Sequence, residues 1–387
     1  MAFAGTVIGA LRRFLPDFLR AHPVGDRARR RAVWALTHCR TATMGGHVHA
    51  CEKCGTTHFA FHSCNHRSCP QCGKQDTADW VERELAKRIG APYFMVTFTL
   101  PRELRALFFT PSAKAVHDIF FAAASEALSA ALANPRWLGA KRSGFTMILH
   151  TWNQRLHFHP HIHCIVPGAG FDREGRVVRV KSPGFLVPQP VLRATFRHLF
   201  EQKLHALRQR PEQAALPGVE PSVWKKDWGV HLQPFGDGQR IIQYLGTYVC
   251  RTAISDARIL AVSETTVTFS WKDRAHGNAK RTETISGVEF VSRYLRHVLP
   301  IGLRAIRRYG YCHPAAKLQR ERLAFHTGIP LNLDAEEPPV PKPPPSVTAA
   351  NRKWHPSSES SPAGKWDATR PGTPHARHDA PLQAVPK

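Results

Sequence analysis

Apolar and polar positions alternate most clearly from His157 to Val166, HFHPHIHCIV. A strand here points His161 and His163 to one side and Ile162 and Cys164 to the other. Phe158, Ile162, Ile165 and Val166 give it the apolar content of a central strand, which sets the histidines at the edge of a core. PYFMVTFTLP has the β-branched and aromatic density of a second buried strand, bounded by prolines. GFTMILHTW is a third, and NQRL joins it to the histidine strand, so the two are expected to pair as an antiparallel hairpin. GRVVRVKSPGF predicts a short exposed hairpin with a basic face, and RILAVSETTVTFSWKD a strand pair.

Helical periodicity occupies the remainder. Residues 1–38 predict two short helices with Leu11, Phe14, Phe18 and Leu19 on one stripe, surrounded by arginines. Further helices are expected from Thr77 to Arg88, in one or two pieces over 103–133, at 191–210 and at 239–252. VEFVSRYLRHVLPIGLRAIRRYGY reads as a basic helix before a short extended end. Between them, Pro211 to Pro221 is a loop and 222–236 an aromatic and basic connection. On the 239–252 helix, Tyr244 and Tyr248 stand four residues apart and so share a face. That spacing suits a half-buried aromatic pair as well as a reactive one.

Composition narrows the class. A 387-residue chain with 42% hydrophobic content can bury a substantial core, and 54 Lys plus Arg against 29 Asp plus Glu leave a formal charge of +25. Such a field selects polyanionic partners, nucleic acid first. No run of about 18 apolar residues suggests a membrane span, and MAFAGTVIGALRRFL reads as an amphipathic helix, not a secretory signal. A cytoplasmic, nucleoid-associated protein is expected.

Six of the nine cysteines lie between Cys39 and Cys72. Without an export signal, such paired spacings indicate metal in place of disulfides. Cys51, Cys54, Cys69 and Cys72 form two CxxC knuckles that can close tetrahedrally on one structural zinc. Four thiolates leave no position for a catalytic water. Cys39 and Cys64, with His47 or a neighbouring histidine, either complete a second zinc or are small buried residues. From Gly328 onward, 13 of the 31 prolines crowd into the last 60 residues with little apolar periodicity, which predicts a disordered basic tail.

Taken in order, the zinc knuckles from Cys51 to Cys72, FTMILHTWNQRLHFHPHIHCIVPGAG and YLGTYVCRTAIS make the chain resemble the insertion-sequence ninety-one family. These are two-tyrosine, rolling-circle transposases of the HUH endonuclease superfamily. The resemblance covers about residues 30–320. It implies an α+β fold in which an antiparallel sheet flanked by helices follows a small Cys-rich zinc domain. The expected divisions are a basic helical segment at 1–38, zinc binding at 39–90, the HUH nuclease at 91–325 and the tail at 326–387. By resemblance, His161 and His163 bind Mg2+ or Mn2+, Gln154 adds an oxygen ligand, and Tyr244 and Tyr248 are nucleophiles that form 5′-phosphotyrosine bonds to single-stranded DNA. The family's zinc domain is matched at Cys39, His47, Cys51, Cys54, Cys64, Cys69 and Cys72; a histidine often found before the third knuckle cysteine is replaced by Ser68. Arg251, Arg293 and Arg296 are candidate phosphate contacts, and Tyr294, Tyr309 and Tyr311 candidate stacking partners for bases. No Walker-type GxxxxGKS/T motif is present, so unwinding is assigned to host replication or a host helicase. A rolling-circle replication initiator, or a zinc-dependent DNA-binding regulator without catalysis, are the competing readings.

Overall fold

The computed structural model describes residues 5–51, 54–72, 74–213, 216–249, 252–273, 276–328 and 354–356. Two compact units divide the chain: Met1–Cys39 with Ser63–Glu337, and Arg40–His62 with Pro338–Lys387. The elements in chain order begin with helices α1 (Val7–Ala21) and α2 (Arg27–His38), strands β1 (Gly46–Cys51) and β2 (Thr57–Phe61), and helix α3 (Lys74–Leu85). Then come β3 (Tyr93–Thr99), α4 (Ala113–Ala133), β4 (Gly144–Trp152), β5 (Phe158–Pro167), β6 (Ala169–Phe171), β7 (Val177–Arg179) and α5 (Gln189–Arg208). The last group is β8 (Gly229–Pro234), α6 (Gln239–Val249), β9 (Ile259–Val262), β10 (Thr266–Asp273), β11 (Ala279–Ser286), α7 (Gly287–Leu295), β12 (Ile306–Gly310), α8 (Lys317–Thr327) and β13 (Trp354–Pro356).

The large unit is built on an antiparallel five-stranded sheet of order β12-β4-β5-β3-β8. Its histidine-bearing strand β5 lies in the middle, paired with β4 and β3, as its apolar content requires. One sheet face, carrying Val96, Phe98, Leu149, Ile162 and Cys164, joins α4 and α5 in the main core. Helix α4 is long and apolar enough to cross a membrane, but most of it is buried in this core. Met95, Ile148 and Ile165 on the opposite face pack with Trp80 of α3, Ile241, Ile242 and Leu245 of α6, and Leu323 of α8. A second sheet, β11-β10-β9, contributes Val267 and Phe269 to a third cluster with α1 and α7. In the small unit, β1 pairs antiparallel with β2 and with β13.

The expected antiparallel sheet flanked by helices, after a cysteine-rich N-terminal region, is the architecture observed. Several local readings are corrected. The basic helix expected from Val288 onward stops at Leu295, and Pro300 and the left-handed Gly302 (φ +74°) keep the chain from resuming it. Ile306–Gly310 instead becomes an edge strand on β4. The connection at 222–236 contains the other edge strand, β8, and β11 was not anticipated. The hairpin expected at GRVVRV pairs β7 with β6, which lies earlier in the chain. The residues of the predicted disordered tail fall mostly outside those described, but Trp354–Pro356 forms a strand.

Candidate active site and metal centres

Cross-strand register assembles the histidines. His161 lies opposite His150 on β4 and Thr99 on β3, and His163 opposite Thr97. Side chains opposite one another share a face, so three imidazoles converge. His150, His161 and His163 offer ligand atoms that lie within 4.8 Å of one another. Ring centroids are 4.8 Å apart for His161 and His163, 4.7 Å for His150 and His163, and 5.3 Å for His150 and His161.

The second hydrogen bonds of these rings are already set. His161 donates from Nδ1 to its own strand, at the carbonyl of His159, 2.8 Å away. Nδ1 of His163 meets the Thr97 hydroxyl at 2.9 Å. In both rings Nε2 is thereby the nitrogen left to ligate. Burial holds His150 well below the ordinary imidazole value, and the adjacent His163 and His161 add to the effect, keeping it in the neutral form that binds metal. His159 differs: Arg105 Nη2 donates to its Nδ1 at 2.9 Å.

These histidines line a cavity of about 780 Å3, together with Gln154, Arg240, Tyr244, Trp271 and Lys272. Gln154 therefore reaches the expected cavity, where its side-chain oxygen accepts from Lys272 N at 3.5 Å, but the third imidazole of the cluster is His150. His150 could have been found by pairing GFTMILHTW with HFHPHIHCIV in register, which sets it opposite His161.

Helix α6 brings Tyr244 to this face. It starts after Gly238, whose φ of +85° and close approach to the Tyr93 ring, 2.5 Å for an added Cβ, admit only glycine. Ile241, Ile242 and Leu245 anchor the buried side, and Gly246 lets the helix lie against Val81 and Trp80 of α3. Tyr244 remains 37% exposed and opens on the cavity. The Tyr248 side chain and the whole of Arg251 lie outside the described residues.

Cys39, Cys64, Cys69 and Cys72, all in the large unit, form one cluster with all sulfurs within 4.8 Å. This set joins the second knuckle to Cys39 at the end of α2 and Cys64 in the loop after β2. Cys51 and His47 lie on β1 and Cys54 in the turn after it, in the small unit. Sulfur separations of 3.7 Å for Cys39 to Cys72 and 3.8 Å for Cys64 to Cys72 match the roughly 3.8 Å edge of a tetrahedron with 2.3 Å zinc–sulfur bonds. Burial pushes the Cys64 thiol up to about 12 and Cys69 higher still, with neighbouring sulfurs acting in the same direction, so a bound cation would favour their thiolate forms. The loop is tied down by Tyr294, whose hydroxyl donates to Ser68 O at 2.7 Å.

That bond also removes Tyr294 from the stacking candidates. It is buried, as is Tyr311, and Tyr309 stacks on Phe145. Arg293 is buried too, paired with Glu283 at 2.9 Å and Glu289 at 2.8 Å. Arg296 is exposed.

A cysteine metal centre joined in one chain to a tyrosine and histidine cavity is the layout of a transposase with a zinc-binding domain, and the comparisons agree. Residues 10–100 match the family described as "Transposase zinc-binding domain", and residues 144–320 the one described as "Putative transposase". The chain is 38% identical to "Putative transposase y4qJ" of Sinorhizobium fredii over 87% of its own length and 89% of that protein. It is 27% identical to "Transposase for insertion sequence element IS801" of Pseudomonas savastanoi pv. phaseolicola, over 72% of this chain and 69% of the relative. No solved structure matches. The chain belongs to the insertion-sequence ninety-one family of transposases.

Proposed function

We propose that the protein nicks and rejoins single-stranded DNA through a tyrosine linkage, as the strand-transfer step of rolling-circle transposition. The observation that carries this reading is the convergence of His150, His161, His163 and Tyr244 on one cavity. The three imidazoles would hold a divalent cation, and Gln154 in the same cavity offers an oxygen of the kind that Mn2+ and Mg2+ prefer. A divalent cation held there would polarise the scissile phosphate and offset charge developing in the transition state. Thr97 and the His159 carbonyl fix the His163 and His161 rings, so the ligand geometry is set before DNA arrives. Arg240 and Lys272 on the cavity wall hold the flanking phosphates.

Tyr244 attacks phosphorus, its Oη bonding to the 5′ phosphate while the 3′ oxygen departs and takes up a proton. One phosphoester replaces another, so the linkage is reversible and needs no nucleotide cofactor. Tyr248, one turn further along α6, is the second nucleophile, able to take the next strand while the first is held. Cys39, Cys64, Cys69 and Cys72 hold a structural zinc.

The test is incubation with single-stranded oligonucleotides from the element's ends and Mn2+, followed by denaturing electrophoresis. A covalent protein–DNA adduct is expected, lost in the Tyr244→Phe, Tyr248→Phe double variant and in His161→Ala. Binding without any adduct under any divalent metal would overturn the catalytic reading.

A further inference from the structure

Two adjoining cavities of about 630 and 510 Å3 share Gly25, Arg29, Phe109 and Arg296, and none of their residues lines the histidine cavity. Together they make a groove with a cationic rim and an aromatic floor. Arg27 and Arg296 are exposed on the rim and form no ion pair among the described residues. The rim's carboxylate, Asp26, is engaged in capping α2 through Arg29 N at 2.8 Å and pairs with the Arg29 side chain at 3.4 Å. Lys114, also on the wall, pairs with Asp118 at 2.8 Å. Phe109 is 44% exposed and leans on Phe158 with ring centroids 4.6 Å apart. Ile301, 46% exposed, lines the same cavity.

The wall of the larger cavity includes a buried histidine that is an independent sign of a ligand. His117 is 2% exposed, its Nδ1 donates to Ala113 O at 2.7 Å, and its Nε2 is buried with no hydrogen-bond partner. Burial pulls its pKa down to about 4, so at neutral pH Nε2 is a bare acceptor. A buried acceptor left unsatisfied is costly unless something donates to it. The N–H edge of an unpaired nucleobase is such a donor, and a base in a duplex has that edge occupied.

We infer that this groove is a second binding site for single-stranded DNA, in which an unpaired base stacks on Phe109 and turns its N–H edge toward His117 while flanking phosphates lie on Arg27 and Arg296. It rests on the single-strand reading of the function but uses no group of the catalytic cavity. Aromatic stacking with cationic flanks is how unpaired strands are gripped in general.

The test is fluorescence anisotropy of a labelled single strand from the element's end against the full chain, beside a duplex of the same sequence. Phe109→Ala is expected to weaken single-strand binding about tenfold and leave duplex binding unchanged. Arg27→Ala is expected to reduce the salt slope of single-strand binding by about 0.7. A strand carrying 5-iododeoxyuridine should crosslink to Phe109 or Phe158. Single-turnover cleavage of a short, saturating oligonucleotide is expected to survive Phe109→Ala, which separates the groove from the chemistry. Unchanged affinity in Phe109→Ala, or equal losses for single strand and duplex, overturns the proposal. A wild-type protein that cleaves nothing but loses affinity through Phe109 would refute the catalytic reading and keep the groove.

Discussion

The tightest constraint on the tyrosine helix is Gly246, and its substitution tests whether α6 must sit where it does. A Cβ built there lies 2.1 Å from Val81 Cγ2 and 3.4 Å from the Trp80 ring. Carbon atoms in contact stand about 3.5–4.0 Å apart, so Gly246→Ala must open the α3–α6 contact by roughly 1.5 Å. Val81 is β-branched within a helix and has little rotamer freedom with which to yield. Overpacking of this kind costs about 1–3 kcal/mol, against about 1 kcal/mol gained from alanine's better helix propensity. The net effect on stability is therefore small, on the order of 1 kcal/mol. The effect on activity is larger, since misplacing a reacting group by about 1 Å can cost about 100-fold. Single-turnover adduct formation with Mn2+ should fall by about that factor while the melting temperature drops only a few degrees. Val81→Ala in the same chain should restore most of the rate. A Gly246→Ala protein that is more stable by about 1 kcal/mol and cleaves at the normal rate would refute the reasoning, because an unconstrained helical glycine behaves that way.

Other expectations concern the metal centres and the buried histidines. Thr97→Val, which deletes the hydrogen bond to His163, should weaken Mn2+ binding measured by calorimetry about 10- to 100-fold, and an unchanged affinity would remove Thr97 from the site. His150→Ala should lower that affinity more than Gln154→Ala; the reverse order would restore Gln154 as the principal third ligand. X-ray absorption of the zinc-loaded protein should show four sulfurs at about 2.3 Å, with Cys64→Ser replacing one of them by a lighter scatterer. His117, with its folded pKa of about 4 below the ordinary 6.5, contributes stability that is complete above pH 6.5 and lost as pH falls through 4. That loss amounts to about 3 kcal/mol by pH 4, and denaturant titrations across the range should show it diminished in His117→Leu.

Much of the catalytic region is legible in the chain because its signals are local. HFHPHIHCIV alternates as a strand should, and the apolar face of QRIIQYLGTYV repeats as a helix should. What escapes reading depends on partners far away in sequence. His150 becomes a neighbour of His161 only through register across the hairpin. The cysteines carry no local mark that Cys39, thirty residues before the second knuckle, will meet Cys69 and Cys72. IRRYG and GVHLQP are edge strands whose polar residues resemble a helix face or a loop, and only their pairing to β4 and β3 defines them. The ion pair of Arg293 with Glu283 is hidden as well, because Glu283 lies on β11, a strand the pattern does not announce.

Those same edges bear on whether the sheet can be extended by a strand from another molecule. A sheet with exposed borders invites another chain to add a strand, and such addition starts aggregation. Here one border, β12, is only five residues long and carries Arg307 and Arg308. Both are committed inward, Arg307 to Asp118 and across the face of Phe121, Arg308 to Glu84. The other border, β8, ends in Pro234, which has no amide hydrogen to offer a newcomer. Both borders are thus poor templates for an added strand, which leaves the faces of the sheet, not its edges, as its binding surfaces.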